Sequence, residues 1–498
     1  MLFNSYQFLL FFPCVVLLYY ALPKKVRYIW LLIASYFFYM CWNPGYILLI
    51  LASTVITYLS GIFMEKIKKS SLSADKIKKY NKLVLIASLC INLGILCYFK
   101  YTNFFLESIS NIFALMNIEL NIHTFDILLP VGISFYTFQA LGYSIDVYRD
   151  EIYAEKNFFR YALFVSFFPQ LVAGPIERSK NLLKQLAEPK KIDFEGARSG
   201  FLLMLWGYFM KLVIADRAAI FVDTVYGDYA NYSGVFLIIA TLFFSIQIYC
   251  DFAGYSLIAT GAARILGVDL MENFDAPYLS TSVADFWRRW HISLTSWFKD
   301  YLYIPLGGSR KGKFRKYLNK MIVFLVSGLW HGASWSFVVW GGLNGLYQVI
   351  GEILLPIRDR IAKFCHIKAD LWLVRLIKIL ITYVLVSFAW IFFRADNIKQ
   401  ANEIAGSIFT KLDFSIFSTG AVYECGLDVK NFKLLIIAIL VLLFTDICKR
   451  KGFVIRDFMM RRFVLIRSIF IAASILTILL FGKYGASLDK ASFIYFQF

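Results

Sequence analysis

Apolar residues in this chain do not alternate with polar ones. They come in long unbroken runs, separated by short polar segments that carry most of the Lys and Arg. Such runs fit neither a half-buried strand nor an amphipathic surface helix; they fit the roughly 20 apolar residues that a helix needs to cross the ~30 Å hydrocarbon core of a bilayer. Twelve runs stand out, at about 6–22, 28–42, 45–63, 83–99, 128–147, 199–222, 233–250, 321–337, 338–355, 376–393, 432–448 and 464–482. The pattern predicts an all-α, polytopic bundle, because only helices or closed barrels satisfy their backbone in lipid. The first run has no basic segment before it and no small-residue cleavage site after it, so it reads as a span and not as a removable signal.

Two stretches do not read as simple spans. Residues 161–175, YALFVSFFPQLVAGP, are short, interrupted by Pro169 and closed by Gly174-Pro175, which suits a re-entrant segment shielded by protein. Residues 283–306 set Asp285, Arg288, Arg289, His291, Lys299 and Asp300 among aromatic residues, too much charge to face lipid. For the outer part of this stretch an amphipathic helix on the cytoplasmic interface, with Trp287, Trp290 and Trp297 as an aromatic belt, is an equal reading.

Composition agrees with a membrane chain. Of 498 residues, 59% are hydrophobic and 17% charged, against about 25% charged in a globular protein; disorder, a disulfide scaffold and a collagen-like chain are excluded. The formal charge of +19 is unevenly spread. Residues 65–82 hold seven Lys, 309–320 hold six basic residues and no acid, and 449–467 hold seven basic residues against Asp457, whereas 103–127 and 218–232 hold no Lys or Arg. The basic loops are expected in the cytoplasm. Alternating the spans from them puts both termini, including the tail 483–498, on the extracytoplasmic face. The charge is then mainly a topology signal, with density left for anionic lipid head groups or an anionic cytosolic substrate, and it argues against a nucleic-acid partner. No repeat or linker divides the chain, so 1–498 reads as one membrane domain. The eight Cys form no C-x-x-C pair and read as small apolar side chains.

There are four histidines. His123, in an outer loop, and His366, in a basic loop, read as solvated. His331 falls inside the run 321–337, ~15 Å from its start at 1.5 Å per residue. An ionisable group at that depth must face the protein interior or a water-filled cavity. Gly328, Gly332, Ala333 and Ser334 leave the backbone around it bare, and Trp330 and Trp335 either wall a tunnel or simply pack. Two readings stay open: a general base, or a histidine hydrogen-bonded between helices. Metal-ligand spacing around His291 and His331 is absent, as is a G-x-S-x-G elbow. A lone histidine, with a reference pKa near 6.5, suits removal of a proton from an attacking hydroxyl.

Five segments, VAGPIERSKNLLKQL (172–186), GYFMKLVIADRAAIFVD (207–223), IYCDFAGYSLIATGAARILG (248–267), NFDAPYLSTSVADFWRRWHISLTSWFKDYLYIPLGGSRKG (273–312) and FLVSGLWHGASWSFVVWGGLNG (324–345), together resemble the membrane-bound O-acyltransferase (MBOAT) superfamily. The nearest branch is the bacterial alginate and peptidoglycan O-acetyltransferases, with the teichoic-acid D-alanylation proteins as cousins. The resemblance implies a helical bundle around a funnel or tunnel in the bacterial cytoplasmic membrane, with no bound cofactor. It implies acyl transfer to a hydroxyl, with His331 as the superfamily histidine and His291 as its second polar position. Asp285, Trp287, Arg288, Arg289, Trp330 and Asp251 are the candidates for binding the donor. In this branch the donor is typically cytoplasmic acetyl-CoA, and the acyl group passes to a secreted or membrane-anchored acetyltransferase that esterifies a polysaccharide. Relatives often read CDFSGYSD where this chain has CDFAGYSL, so Leu257 replaces a polar residue while Asp251 keeps its place. The C-terminal FIYFQF (493–498) resembles a motif in which a tyrosine relays the acyl group, matching Tyr495; an apolar tail anchored by Tyr495 is the other reading. D-alanyl transfer to teichoic acid and non-enzymatic polysaccharide transport are the rival functions.

Overall fold

The computed structural model describes residues 1–118, 124–125, 129–172, 174–188, 190–366 and 371–484. Tyr495 with its FIYFQF tail, and His123, lie outside the described residues. Every one of the twelve apolar runs contains a helix, and no strand occurs among the described residues. Seven helices are long and apolar enough to span alone: Pro44–Lys68, Ala74–Leu115, Phe194–Gly227, Gly234–Ile265, Trp372–Arg394, Val429–Arg450 and Val464–Phe481. An eighth crossing is formed if Trp335–Ile353 and Leu355–Phe364, bent by 46° at their junction, count as one. The other runs form the helices Tyr6–Ala21, Arg27–Met40, Ile133–Tyr148 and Gly312–His331. The first three are short, and the fourth starts in the basic segment KFRKYLNK, which lowers its hydropathy.

The chain divides into two compact units, one of Met1–Phe201 with Ile258–Met271, the other of Leu202–Leu257 with the described residues from Glu272 onward. In the first, a polar seam joins the helices. Ser53 Oγ donates to Asn92 Oδ1 at 2.6 Å, the Ser60 and Ser144 hydroxyls are 3.1 Å apart, and Tyr161 donates to Thr57 Oγ1 at 2.7 Å. Helices in lipid gain little from the hydrophobic effect, so such bonds and close packing hold them. The stretch 161–171 lies in this unit as the helices Phe158–Ser166 and Phe168–Leu171, and its residues are buried throughout.

The second unit is built around the fully buried Trp290, Trp340 and Trp390. Its tightest helix pair is Gly312–His331 against Trp335–Ile353. A Cβ on Gly328 would sit 2.2 Å from the Phe337 carbonyl oxygen, and one on Gly341 2.3 Å from that of Phe324. Glycine at both positions lets the two backbones touch, which fixes the hairpin that carries His331. The stretch 283–306 becomes the helices Val283–Arg289 and Ile292–Phe298 followed by a π-helical turn Lys299–Tyr303. Phe286, Trp287, Trp290 and Leu294 are buried in the unit's interior. Trp287 and Trp290 are therefore core residues and not an interfacial belt.

Candidate active site

The sequence puts His331 in the middle of a span; in the structure it is the last residue of the Gly312–His331 helix. Gly332 follows in an extended conformation (φ −158°, ψ 150°), and Ser334 opens the next helix, its Oγ accepting the Ser336 N–H at 3.3 Å. Glycine and a serine N-cap break the helix inside a segment that carries no Lys, Arg, Asp or Glu. The break matters chemically. A helix C-terminus carries partial negative charge, which favours a cation formed there by ~0.3–1 kcal/mol, and a general base becomes a cation when it takes its proton. The His331 ring, 4% exposed, is enclosed by Trp330, Trp340 and Phe393 at centroid distances of 4.9, 5.0 and 5.4 Å.

His291 comes to the same place from a different element. It is fully buried and sits at the N-terminus of the Ile292–Phe298 helix with φ 44° and ψ 54°, the left-handed region that a residue with a Cβ rarely occupies. Its ring packs edge-on against Phe252 at 4.6 Å, and Ser293 Oγ lies 3.5 Å from its Nδ1. Trp330 stands 6.0 Å from it, and the His331 ring 6.4 Å from it. Burial pushes the His291 imidazole down to about 3, so it is neutral near pH 7. A neutral imidazole can donate one hydrogen bond and accept another.

The other sequence candidates take separate stations. Trp287 Nε1 donates to Asn344 Oδ1 at 3.1 Å and its ring meets Trp340 at 5.7 Å, tying the Val283–Arg289 helix to the hairpin behind His331. Arg289 donates to Asp285 Oδ1 at 3.0 Å and pairs with Asp275, while Arg288 is 72% exposed with Asp285 at 3.8 Å. Asp251 belongs to a buried ion triad in which Lys211 Nζ lies 2.7 Å from Asp251 and 2.8 Å from Asp216.

Lys211 and Asp216 were not singled out from sequence. Their signal was there: a lysine inside an apolar span must find a partner. The lysine lies in a π-helical turn, Phe209–Ala215, a local widening frequent at functional sites. Asp446 was missed as well. It lies near the end of the Val429–Arg450 helix and accepts from the Tyr249 hydroxyl at 3.1 and 3.2 Å.

The chain that brings these two buried histidine rings into one aromatic enclosure is similar in sequence to known proteins. Residues 149–394 match the model of the MBOAT, membrane-bound O-acyltransferase family. A probable alginate O-acetylase of Pseudomonas putida is 36% identical over 445 residues, covering 89% of this chain and 87% of that protein. The chain belongs to the membrane-bound O-acyltransferase family. It is a multi-pass membrane enzyme that transfers acyl groups to oxygen. A peptidoglycan O-acetyltransferase of Helicobacter pylori is 34% identical to this acyltransferase over 436 residues, 81% of this chain and 79% of that protein. A teichoic acid D-alanyltransferase of Streptococcus thermophilus is 27% identical over 246 residues, 47% of this chain and 59% of that protein. The matched family region contains His291, His331 and the ion triad.

Proposed function

We propose that this acyltransferase takes an acetyl group from cytoplasmic acetyl-CoA and sends it across the membrane, through an extracytoplasmic acetyltransferase partner, to O-acetylate a cell-envelope or secreted polysaccharide of the alginate or peptidoglycan kind. The observation that carries this reading is the convergence of His291 and His331 in one buried aromatic enclosure. The relatives named as O-acetylating cover over four fifths of the chain, whereas the D-alanyltransferase match covers under half.

In this reading His331 accepts the proton of an acceptor hydroxyl as its oxygen attacks the thioester carbonyl carbon. A C–O ester bond forms, the C–S bond breaks, and the leaving thiolate takes the proton back from the imidazolium. The helix C-terminus beneath His331 favours the transient imidazolium. His291, neutral, donates a hydrogen bond to the oxygen on which negative charge develops. The basic segment 309–320, whose residues from Gly312 onward open the Gly312–His331 helix, draws the phosphates of the donor toward the cytoplasmic side. Tyr495 is the hydroxyl that receives the acetyl group first and hands it outward.

Membranes containing the full chain and its polymer system, given radiolabelled acetyl-CoA, are expected to form labelled O-acetyl esters. Labelling from a D-alanyl carrier thioester and not from acetyl-CoA would contradict the proposal.

A further inference from the structure

We infer that Asn273 is the positioning residue of His291, acting as an N-cap supplied from another segment of the chain; the inference rests on the assignment of His291 to the acetyl-transfer site. A helix begins with backbone N–H groups that have no partner within it, and the side chain of the N-cap residue ordinarily supplies one. At Ile292–Phe298 the N-cap residue is His291, whose side chain makes no capping bond. Asn273 supplies both acceptors instead. Its carbonyl oxygen accepts the Ile292 N–H at 3.0 Å, and its Oδ1 accepts the Ser293 N–H at 3.3 Å.

Asn273 is itself held. It is 3% exposed, and its Nδ2 donates to Ser256 Oγ at 3.2 Å. Ser256 lies one turn along the Gly234–Ile265 helix from Phe252, the ring packed against His291. One asparagine thus joins the helix that lines His291 to the helix that His291 begins.

The consequence concerns the imidazole. A serine or aspartate at the N-cap position would be turned back onto its own helix. With the capping taken over by Asn273, the His291 ring makes no capping bond and packs near Phe252, Trp330 and His331, with its Nδ1 3.5 Å from Ser293 Oγ. The arrangement also accounts for its backbone. A non-glycine residue stays in the left-handed region, here at φ 44°, only where its surroundings over-determine it, and the two bonds to Asn273 fix the residues directly after it.

The test uses cells producing the full chain, with O-acetyl ester formation on envelope polysaccharide measured per amount of chain in the membrane. Asn273→Ala is expected to lower the rate about tenfold, the scale of one lost capping interaction. Asn273→Asp keeps an acceptor for the Ser293 N–H and can accept from Ser256, so it should return to within about threefold of wild type. Adding Asn273→Ala to His291→Ala should cause no further loss, because a residue that acts through His291 has nothing left to position. Carbethoxylation by diethyl pyrocarbonate, read by mass spectrometry, should rise at His291 in Asn273→Ala and stay unchanged at His331; this reports the ring's placement even if His291 proves dispensable for acetylation. Should Asn273→Ala fail to accumulate, Ser256→Ala removes the anchor alone and is expected to act in the same direction with a smaller effect. Wild-type ester formation with unchanged His291 labelling in these variants, or a further multiplicative loss in the double variant, would overturn the inference.

Discussion

The rings of His291 and His331 lie 6.4 Å apart between centroids, with Trp330 within 6.0 Å of the first and 4.9 Å of the second. At this spacing one small group can meet both imidazoles at once. The two residues reach it by different routes, one from the end of a broken helix and the other from a left-handed N-cap. His331 ends its helix, whereas His291 lies between the C-cap Trp290 of one helix and the first turn of the next, and its burial keeps it neutral near pH 7.

The neutral state of His291 has a consequence for stability. Burial pushes its imidazole to about 3, while in the unfolded chain it titrates near 6.5. Between those values the unfolded state binds a proton that the folded state does not. Stability must therefore fall as pH drops below about 6.5, by at most ~1.4 kcal/mol per pH unit. Unfolding temperatures in detergent between about pH 7 and pH 5 should show this decline, and His291→Gln should flatten it. An identical slope in the variant would rule out His291 as its source.

The ion triad predicts an asymmetry. Lys211→Met leaves Asp216 and Asp251 buried without their common cation, a loss of about 3–5 kcal/mol that should appear as poor accumulation and early thermal unfolding. Combining it with Asp216→Asn and Asp251→Asn removes the charges together and should recover most of that loss. No recovery in the triple variant would mean that the triad does more than balance its own charge.

Gly332 makes a steric prediction. A Cβ there would lie 2.1 Å from the Phe337 ring, so Gly332→Ala must displace either the ring or the break that follows His331. Activity is expected to fall about tenfold or more with little change in chain abundance, as misplacement of a reacting group does. Phe337→Leu in the same chain should restore part of it. Equal rates for Gly332→Ala and wild type would show that His331 does not depend on this contact.

Much of this architecture could be read from residue order. Each of the twelve apolar runs marked a helix, while shorter helices such as Ser179–Ala187 and Ile398–Thr410 lie outside them, and the motif around WRRWHISL drew attention to the second histidine. What the linear pattern hid were relationships across distance. The residues from Gly332 to Phe337, GASWSF, are small or aromatic and uncharged, so the absence of charge carried a span through His331 and missed the break at Gly332 and Ser334. Lys211, Asp216 and Asp446 look like isolated charges until the fold brings Asp251 and Tyr249 beside them. Arg289 sits next to the histidine motif in sequence, but Asp275 and Asp285 engage it.

The relay assigned to Tyr495 is separable from simple anchoring. Tyr495→Phe keeps the ring and removes only the hydroxyl. A tyrosine titrates near 10, so it needs a neighbouring base to attack a thioester at neutral pH. Tyr495→Phe is therefore expected to stop polysaccharide acetylation as fully as loss of that base. Mass spectrometry of the wild-type chain should detect an acetylated C-terminal peptide. Wild-type acetylation by the variant would leave Tyr495 as an anchor alone.

The central claim is that His331 is the base. The most direct measurement is O-acetyl ester formation by His331→Ala, per amount of chain in the membrane, beside wild type and His291→Ala. The account predicts normal accumulation of all three chains, no detectable acetylation by His331→Ala, and a reduced but measurable rate for His291→Ala. Near-normal acetylation by His331→Ala would contradict it.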